Sequence, residues 1–292
     1  MIIINLKGGL GNQMFQYACG RVLALKNRDI LKLDATGYGE KNGIDTMRRY
    51  SLGPFNIKAG IATREEIWRL KYPHGIISKG WRFFKFKLLR QFNAGFYPRI
   101  LQKKGDIYLD GFWQTYRYMD GFEDEIRKDF TLKEPLSTTT ATIAEEIKNS
   151  DKPTVSLHVR RGDYVSSARE NAYHGTYGND YYSRALTAMK EELAGRNISA
   201  FRVFVFSDGM DWVKKNIDIP YPTTYIPDDI PDYEQLILMS TCDHHIIANS
   251  SFSWWGAWLD SKQDKIVIAP KRWTRKSNWR HRDTVPKEWI RV

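Results

Sequence analysis

From Thr154 to Val159 every second residue is aliphatic, and the run stops on Arg160, Arg161 and Gly162. Val155, Leu157 and Val159 alternate with Ser156 and His158, the period of a strand rather than of a helix. That period predicts His158 and Arg160 on one face and Arg161 on the other, with Gly162 breaking the strand. At the mouth of a parallel sheet, a guanidinium held this way offers paired N–H donors that match the geometry of phosphate. Two plainer readings compete. Adjacent arginines are more often surface or ion-pair residues, and Arg161-Gly162-Asp163 is also an adhesion tripeptide, though three residues are too few to support it.

The same grammar recurs along the chain. A strand over Ile2–Leu6 leads into the turn Gly8-Gly9-Leu10-Gly11-Asn12-Gln13. A helix is predicted from Met14 to Lys26, with Met14, Ala18, Val22 and Leu25 as its buried stripe, and a second strand over Ile30–Leu33 completes a βαβ unit. The turn lacks the glycine spacing of a dinucleotide fingerprint and the Lys-Ser or Lys-Thr of a P-loop. Its glycines admit close backbone approach to a ligand, and Asn12 and Gln13 carry amides suited to hydroxyl groups. An ordinary strand-to-helix turn is the competing reading.

Lys133–Pro153 is polar and bounded by prolines, with a short helix over 141–148, and reads as an interdomain connection. Beyond it, strands are predicted at 154–160, 201–206, 245–248 and 265–269, with helices at 180–194 and 254–260. The expected fold is therefore α/β, with two Rossmann-like domains facing a central cleft, over 1–150 and 151–292. The C-terminal tail is free to pack back on the first domain. In such sheets ligands collect beyond the carboxyl ends of the strands, where Arg160 and the Ser207-Asp208-Gly209 turn are expected. Asp208 there can accept hydrogen bonds from a base edge or a ribose, although Ser and Asp are also ordinary helix caps. Ser250, Ser251 and Phe252 open a helix, whose hydroxyls and N–H groups make an anion site.

Composition narrows the function classes. The net charge of +11 is concentrated in Lys79–Lys104, with eight basic residues and no acid, and in Lys271–Val292. Both stretches are rich in aromatic residues, and Trp81, Phe84, Leu88 and Phe92 have helical spacing suited to a core or a membrane surface. Anionic partners are implied, but no nucleic-acid-binding motif accompanies the charge. No apolar run approaches the ~20 residues of a membrane span, and the N-terminal apolar run is too short for a secretory signal. A cytoplasmic location is expected, with peripheral contact to the inner face of an anionic membrane. Cys19 and Cys242 read as reduced, buried thiols. The histidines show no zinc spacing, and Asp228-Asp229 sits among prolines as a loop, so no metal site is expected.

Taken together, Gly8 to Ala18, Asp110 to Thr115, His158 to Val165, Phe206 to Trp212 and Ser250 to Ala257 resemble the α-1,2-fucosyltransferases of glycosyltransferase family 11. The resemblance implies a GT-B fold with an N-terminal acceptor domain and a C-terminal domain for GDP-β-L-fucose. It implies inverting transfer of fucose to the 2-hydroxyl of a terminal galactose in an oligosaccharide or polysaccharide precursor, without metal or other cofactor. By similarity Arg160 is the catalytic residue that neutralises the departing β-phosphate, supported by Arg161. His158 and Asp208 contact guanine, and Ser207, Ser250, Ser251 and Phe252 complete the donor site. Asn12, Gln13, Trp113 and Gln114 meet the acceptor, a galactose-terminated and lipid-linked glycan.

Inversion also requires the acceptor hydroxyl to lose a proton. Asp163 is the nearest acid to the arginines and is read either as that base or as an ion-pair partner fixing one of them. Ala168 stands where related fucosyltransferases carry a glutamate, and Glu170, His174 and Asp110 are more distant candidates. Two alternatives stay open: a related transferase with another GDP-sugar or linkage, and a glycan- or membrane-surface-binding module without turnover.

Overall fold

The computed structural model describes residues 1–38, 49–72, 95–275 and 283–292. The predicted helix carrying Trp81, Phe84, Leu88 and Phe92 lies outside the described residues. The chain divides into two compact units, Met1–Glu134 with Asn278–Val285, and Pro135–Ser277 with Pro286–Val292. The boundary therefore falls before Pro135 rather than at 150. The supposed connection is part of the second unit's core, because Ala144 and Ile147 pack with Phe204, Phe206 and Met239.

The first unit contains β1 (Ile2–Asn5), α1 (Leu10–Asn27), β2 (Leu31–Asp34), β3 (Gly60–Ile61), α2 (Arg64–Lys71), β4 (Ile107–Leu109) and α3 (Glu123–Asp129). Its sheet is parallel, in the order β3-β2-β1-β4. Helix α1 begins at Leu10, earlier than the apolar stripe from Met14 indicates. Gly9 caps it in extended conformation, and its carbonyl accepts from the N–H groups of Asn12 (3.0 Å) and Gln13 (3.1 Å). Gly8 has φ +76°, a conformation disfavoured for residues with a side chain. The glycine-rich turn is thus largely the first turn of the helix.

The second unit runs α4 (Thr138–Lys148), β5 (Thr154–Val159), α5 (Gly162–Ser166), α6 (Ala168–His174), α7 (Asn179–Ala194), β6 (Arg202–Ser207), α8 (Met210–Asn216), β7 (Thr223–Tyr225), α9 (Asp232–Thr241), β8 (His244–Ile246), α10 (Ser251–Leu259), β9 (Val267–Ala269) and β10 (Ile290–Arg291). The parallel strands lie in the order β10-β9-β8-β5-β6-β7. Strands therefore build outward in opposite directions from the β5/β8 pair, the doubly wound dinucleotide-binding order, and the ligand crevice belongs at the carboxyl ends of those two strands.

Period 2 on β5 is resolved by covering both faces. Val155, Leu157 and Val159 pack with Ala185 and Met189 of α7. Phe204 and Phe206, in register with Ser156 and His158, pack with Leu238 and Met239 of α9. Each such side chain taken from water is worth ~1.5–3 kcal/mol. Ser156 is satisfied on this apolar face: its Oγ lies 2.8 Å from His245 Nδ1, and His245 Nε2 lies 3.0 Å from Asp260 Oδ2. The trio has the outline of a hydrolase triad, but all three residues are buried inside the sheet packing. It is a core hydrogen-bond network.

Candidate active site

At the carboxyl end of β5 the chain places two arginines beside the end of β6. Arg160 Nη1 lies 2.6 Å from Asp208 Oδ2, and the backbone N–H of Arg161 donates to Asp208 Oδ1 (2.7 Å). Ser207 Oγ donates to the carbonyl of Val159 (2.8 Å) and accepts from the N–H of Gly209 (3.0 Å). The two turns touch so closely that a Cβ on Gly162 would collide with the Asp208 carboxylate, and one on Gly209 would lie 3.0 Å from Arg161 Cβ. Glycine at both positions is what permits the clasp.

The arginines diverge as their positions in the strand predict. Arg160 sits over the Tyr164 ring (5.3 Å), while the Arg161 guanidinium lies 3.7 Å from the Trp212 ring centroid on α8. A charge held by a carboxylate and an aromatic face keeps a fixed direction at little entropic cost on ligand binding. Arg160 thus keeps the place at the crevice. Asp208 is engaged by both arginines, so in this structure its carboxylate fixes them. Ser207 likewise spends its hydroxyl on the two strand ends. Asp163 lies on α5, and its side chain is outside the described residues; among the described residues Arg160 pairs with Asp208.

His158 is 3% exposed, and its Nδ1 has no hydrogen-bond partner. Burial is the main cause that lowers its pKa to about 4, with Asp208 opposing and Arg160 adding to the shift. The ring is therefore neutral at physiological pH, and it packs against Phe252 with centroids 5.6 Å apart. That contact joins β5 to the start of α10. Ser250 caps this helix, its Oγ accepting from the N–H of Phe252 (3.3 Å). The Ser251 and Phe252 end of α10 directs the positive end of a helix dipole toward the crevice.

Asn249, just before the cap, is buried and donates to the carbonyl of His174 (3.0 Å), while Tyr164 Oη donates to the Asn249 carbonyl (3.2 Å). Tyr164, Trp212 and Asn249 were not singled out from sequence. The fold sets Tyr164 and Trp212 against the arginines and Asn249 beside Tyr164, and local sequence carries no signal of that.

In the first unit, Gln114 Nε2 donates to Asn12 Oδ1 (2.6 Å), so these two predicted residues do meet. Gln13 is spent on the backbone instead. It is fully buried, its Nε2 donating to the carbonyls of Gly8 (3.1 Å) and Arg49 (2.9 Å) and its Oε1 accepting from the N–H of Ser51 (2.9 Å). Trp113 is also buried, at 4% exposure, because the chain turns at a φ of +53° and folds its ring against Tyr118. Its neighbour Phe112 is the exposed aromatic.

The model of glycosyl transferase family 11 matches residues 1–292. The chain belongs to glycosyl transferase family 11. As a family-11 enzyme it is 34% identical to an alpha-1,2-colitosyltransferase of Escherichia coli, over 100% of this chain and 99% of that one. Human galactoside alpha-(1,2)-fucosyltransferase 1 is 29% identical over 55% of this chain and 45% of its own. Among solved structures, fucosyltransferase NodZ from Bradyrhizobium has a TM-score of 0.51 at 13% identity, covering 88% of this chain and 92% of NodZ. The family-11 chain therefore has an α/β, GT-B type of fold with parallel sheets.

Proposed function

We propose that this family-11 glycosyltransferase moves L-fucose from GDP-β-L-fucose to the 2-hydroxyl of a terminal galactose, with inversion at the anomeric carbon. The observation that carries the donor half is Arg160, clasped by Asp208 at the switch point of a dinucleotide-type sheet, with the α10 N-terminus opening from the neighbouring strand. As the glycosidic bond breaks, negative charge grows on the β-phosphate. A preoriented guanidinium and helix terminus stabilise that charge more in the transition state than in the ground state. His158, neutral and with Nδ1 unpaired, is suited to a hydrogen bond from or to the nucleoside. Arg161 and Asp208 hold Arg160 in place.

The acceptor half belongs to the first unit, where Asn12 and Gln114 lie together. The reaction needs no metal in this reading. The natural acceptor is a galactose-terminated, lipid-linked glycan met by a cytoplasmic enzyme at an anionic membrane surface. The net charge of +11 supports that reading, and no helix among the described residues is long and apolar enough to cross a membrane.

Incubation with GDP-fucose and a panel of terminal galactosides, with chelator present, tests the proposal. NMR of the product should show an α-1,2 linkage. No transfer to any galactoside would end it. A second reading is favoured by the E. coli relative that matches over almost all of its length: the sugar transferred is colitose rather than fucose. Competition between the two donors for one acceptor decides, and a preference above about tenfold, or ~1.4 kcal/mol, identifies the native sugar.

A further inference from the structure

The first unit carries a polar cluster that the donor chemistry does not use. In its sheet the chain passes from β1 through β2 to β3 on one side, while β4 lies on the other, so the carboxyl ends of β1 and β4 flank the switch point. Lys7 and Asp110 follow those ends. Lys7 Nζ pairs with the Asp110 carboxylate, and Asn5 Nδ2 donates to the same oxygen (3.2 Å). The Lys7 backbone is clamped by Gln16, whose Oε1 accepts from its N–H (2.9 Å) and whose Nε2 donates to its carbonyl (3.3 Å). Tyr38 Oη donates to the next carbonyl, that of Gly8 (2.9 Å). A rigid cation and carboxylate side by side suit vicinal hydroxyls, which both donate and accept hydrogen bonds.

Trp113 supplies an independent observation. A bulky residue in left-handed conformation is strained, and its buried indole N–H, left without a partner, carries an uncompensated desolvation cost. Both costs fall in the loop that links Asp110 to Gln114, and local conflicts with folding rules concentrate at functional sites. The turn is held in place by Thr284, whose Oγ1 donates to the Gln114 carbonyl (2.9 Å). What this loop presents outward is Phe112, 42% exposed.

We infer that Phe112 and the Lys7–Asp110 pair, together with Asn12 and Gln114, form the subsite for the terminal sugar of the acceptor. Phe112 supplies an apolar face for the C–H side of a galactose ring, Asp110 accepts from one hydroxyl and Lys7 donates to its neighbour. The inference rests on the galactoside reading above and adds the residues that recognise the sugar.

Ligand-observed NMR of the full chain with lactose tests it directly. Lactose should show saturation transfer with the native protein, and Phe112→Ala and Asp110→Asn should each weaken binding by about tenfold, or ~1.4 kcal/mol. Phe112→Tyr should restore it, which a merely structural loss would not predict. In turnover, the acceptor KM should rise by a similar factor. Native lactose affinity in both Phe112→Ala and Asp110→Asn would overturn the subsite. A thermal shift with GDP reports the donor side separately, so failure there counts against the proposed reaction and not against the sugar subsite.

Discussion

Arg160 and Asp208 are joined at 2.6 Å across the ends of two adjacent parallel strands, although they lie far apart in sequence. The pair is partly exposed, so its own contribution to stability is small. Its value lies in direction, because the carboxylate fixes where the guanidinium sits before a diphosphate arrives. Arg160→Ala should lower kcat by about 100-fold or more, the usual loss when a transition-state charge stabiliser is removed. Asp208→Asn keeps the shape and should also lower kcat, with less effect on donor KM. Steady-state kinetics on both variants and on the double variant check the coupling. Additive losses would show that Asp208 does not act through Arg160.

Gly162 is the point where the clasp depends on the absence of a side chain. A methyl group there collides with the Asp208 carboxylate, and the Arg160 guanidinium carbon lies within 3.7 Å of the same position. Gly162→Ala should therefore displace Asp208 and cut turnover by about tenfold or more, while leaving the melting temperature within a few degrees, since the position opens a short helix and lies outside the core. Turnover measured alongside thermal unfolding separates the two. An active Gly162→Ala enzyme would mean that the clasp yields without consequence.

His158 makes a prediction about pH. Burial lowers its folded pKa to about 4, against an ordinary value of 6.5. Between those values the unfolded chain binds a proton that the folded chain does not, so stability rises with pH across the window and is lost as pH falls through it. Burial likewise lowers His244 to about 4, which adds a second proton over the same range. Denaturant unfolding followed from about pH 4 to 6.5 should show this slope, and His158→Gln should reduce it by up to one proton. Turnover between about pH 6 and 8 should carry no limb from His158, which stays neutral there. A His158 titration near 6.5 by NMR would contradict this.

Strands β5, β6, β8 and β9 of the second unit were legible because period 2 and flanking apolar runs are local signals, whereas the short edge strands β7 and β10 carry neither and were not predicted. The direction of Arg160 against Arg161 followed from the same period. Three things were not local. The Arg160–Asp208 pair depends on strand order, which no local signal carries, so sequence proximity offered only Asp163, whose side chain lies outside the described residues. Gln13 carries an amide suited to hydroxyls, but its partners at Arg49 and Ser51 come from a distant loop. Trp113 and Phe112 are equivalent as adjacent aromatics. Only the left-handed backbone at Trp113 decides which of the two is buried.

Glu234 ties the first helix of the second unit to its core, and that tie can be measured. Glu234 is buried on α9 and accepts from the N–H (3.1 Å) and Oγ (2.7 Å) of Ser137 and from Thr140 Oγ1, tying the start of α4 to the second unit. Burial alone would raise its pKa, but the hydrogen bonds from Thr140 and Ser137 outweigh that and hold it below the ordinary 4.5. A carboxylate depressed in this way stabilises the fold above its unfolded pKa, and the contribution disappears as pH falls through the folded value. Glu234→Gln preserves the shape and loses the charge, so it should cost ~1–3 kcal/mol at neutral pH. The cost should shrink below about pH 4.5, where the native carboxylate begins to protonate. Urea unfolding of both proteins at neutral and acid pH tests this; an equal difference at both pH values would mean that Glu234 works by packing alone.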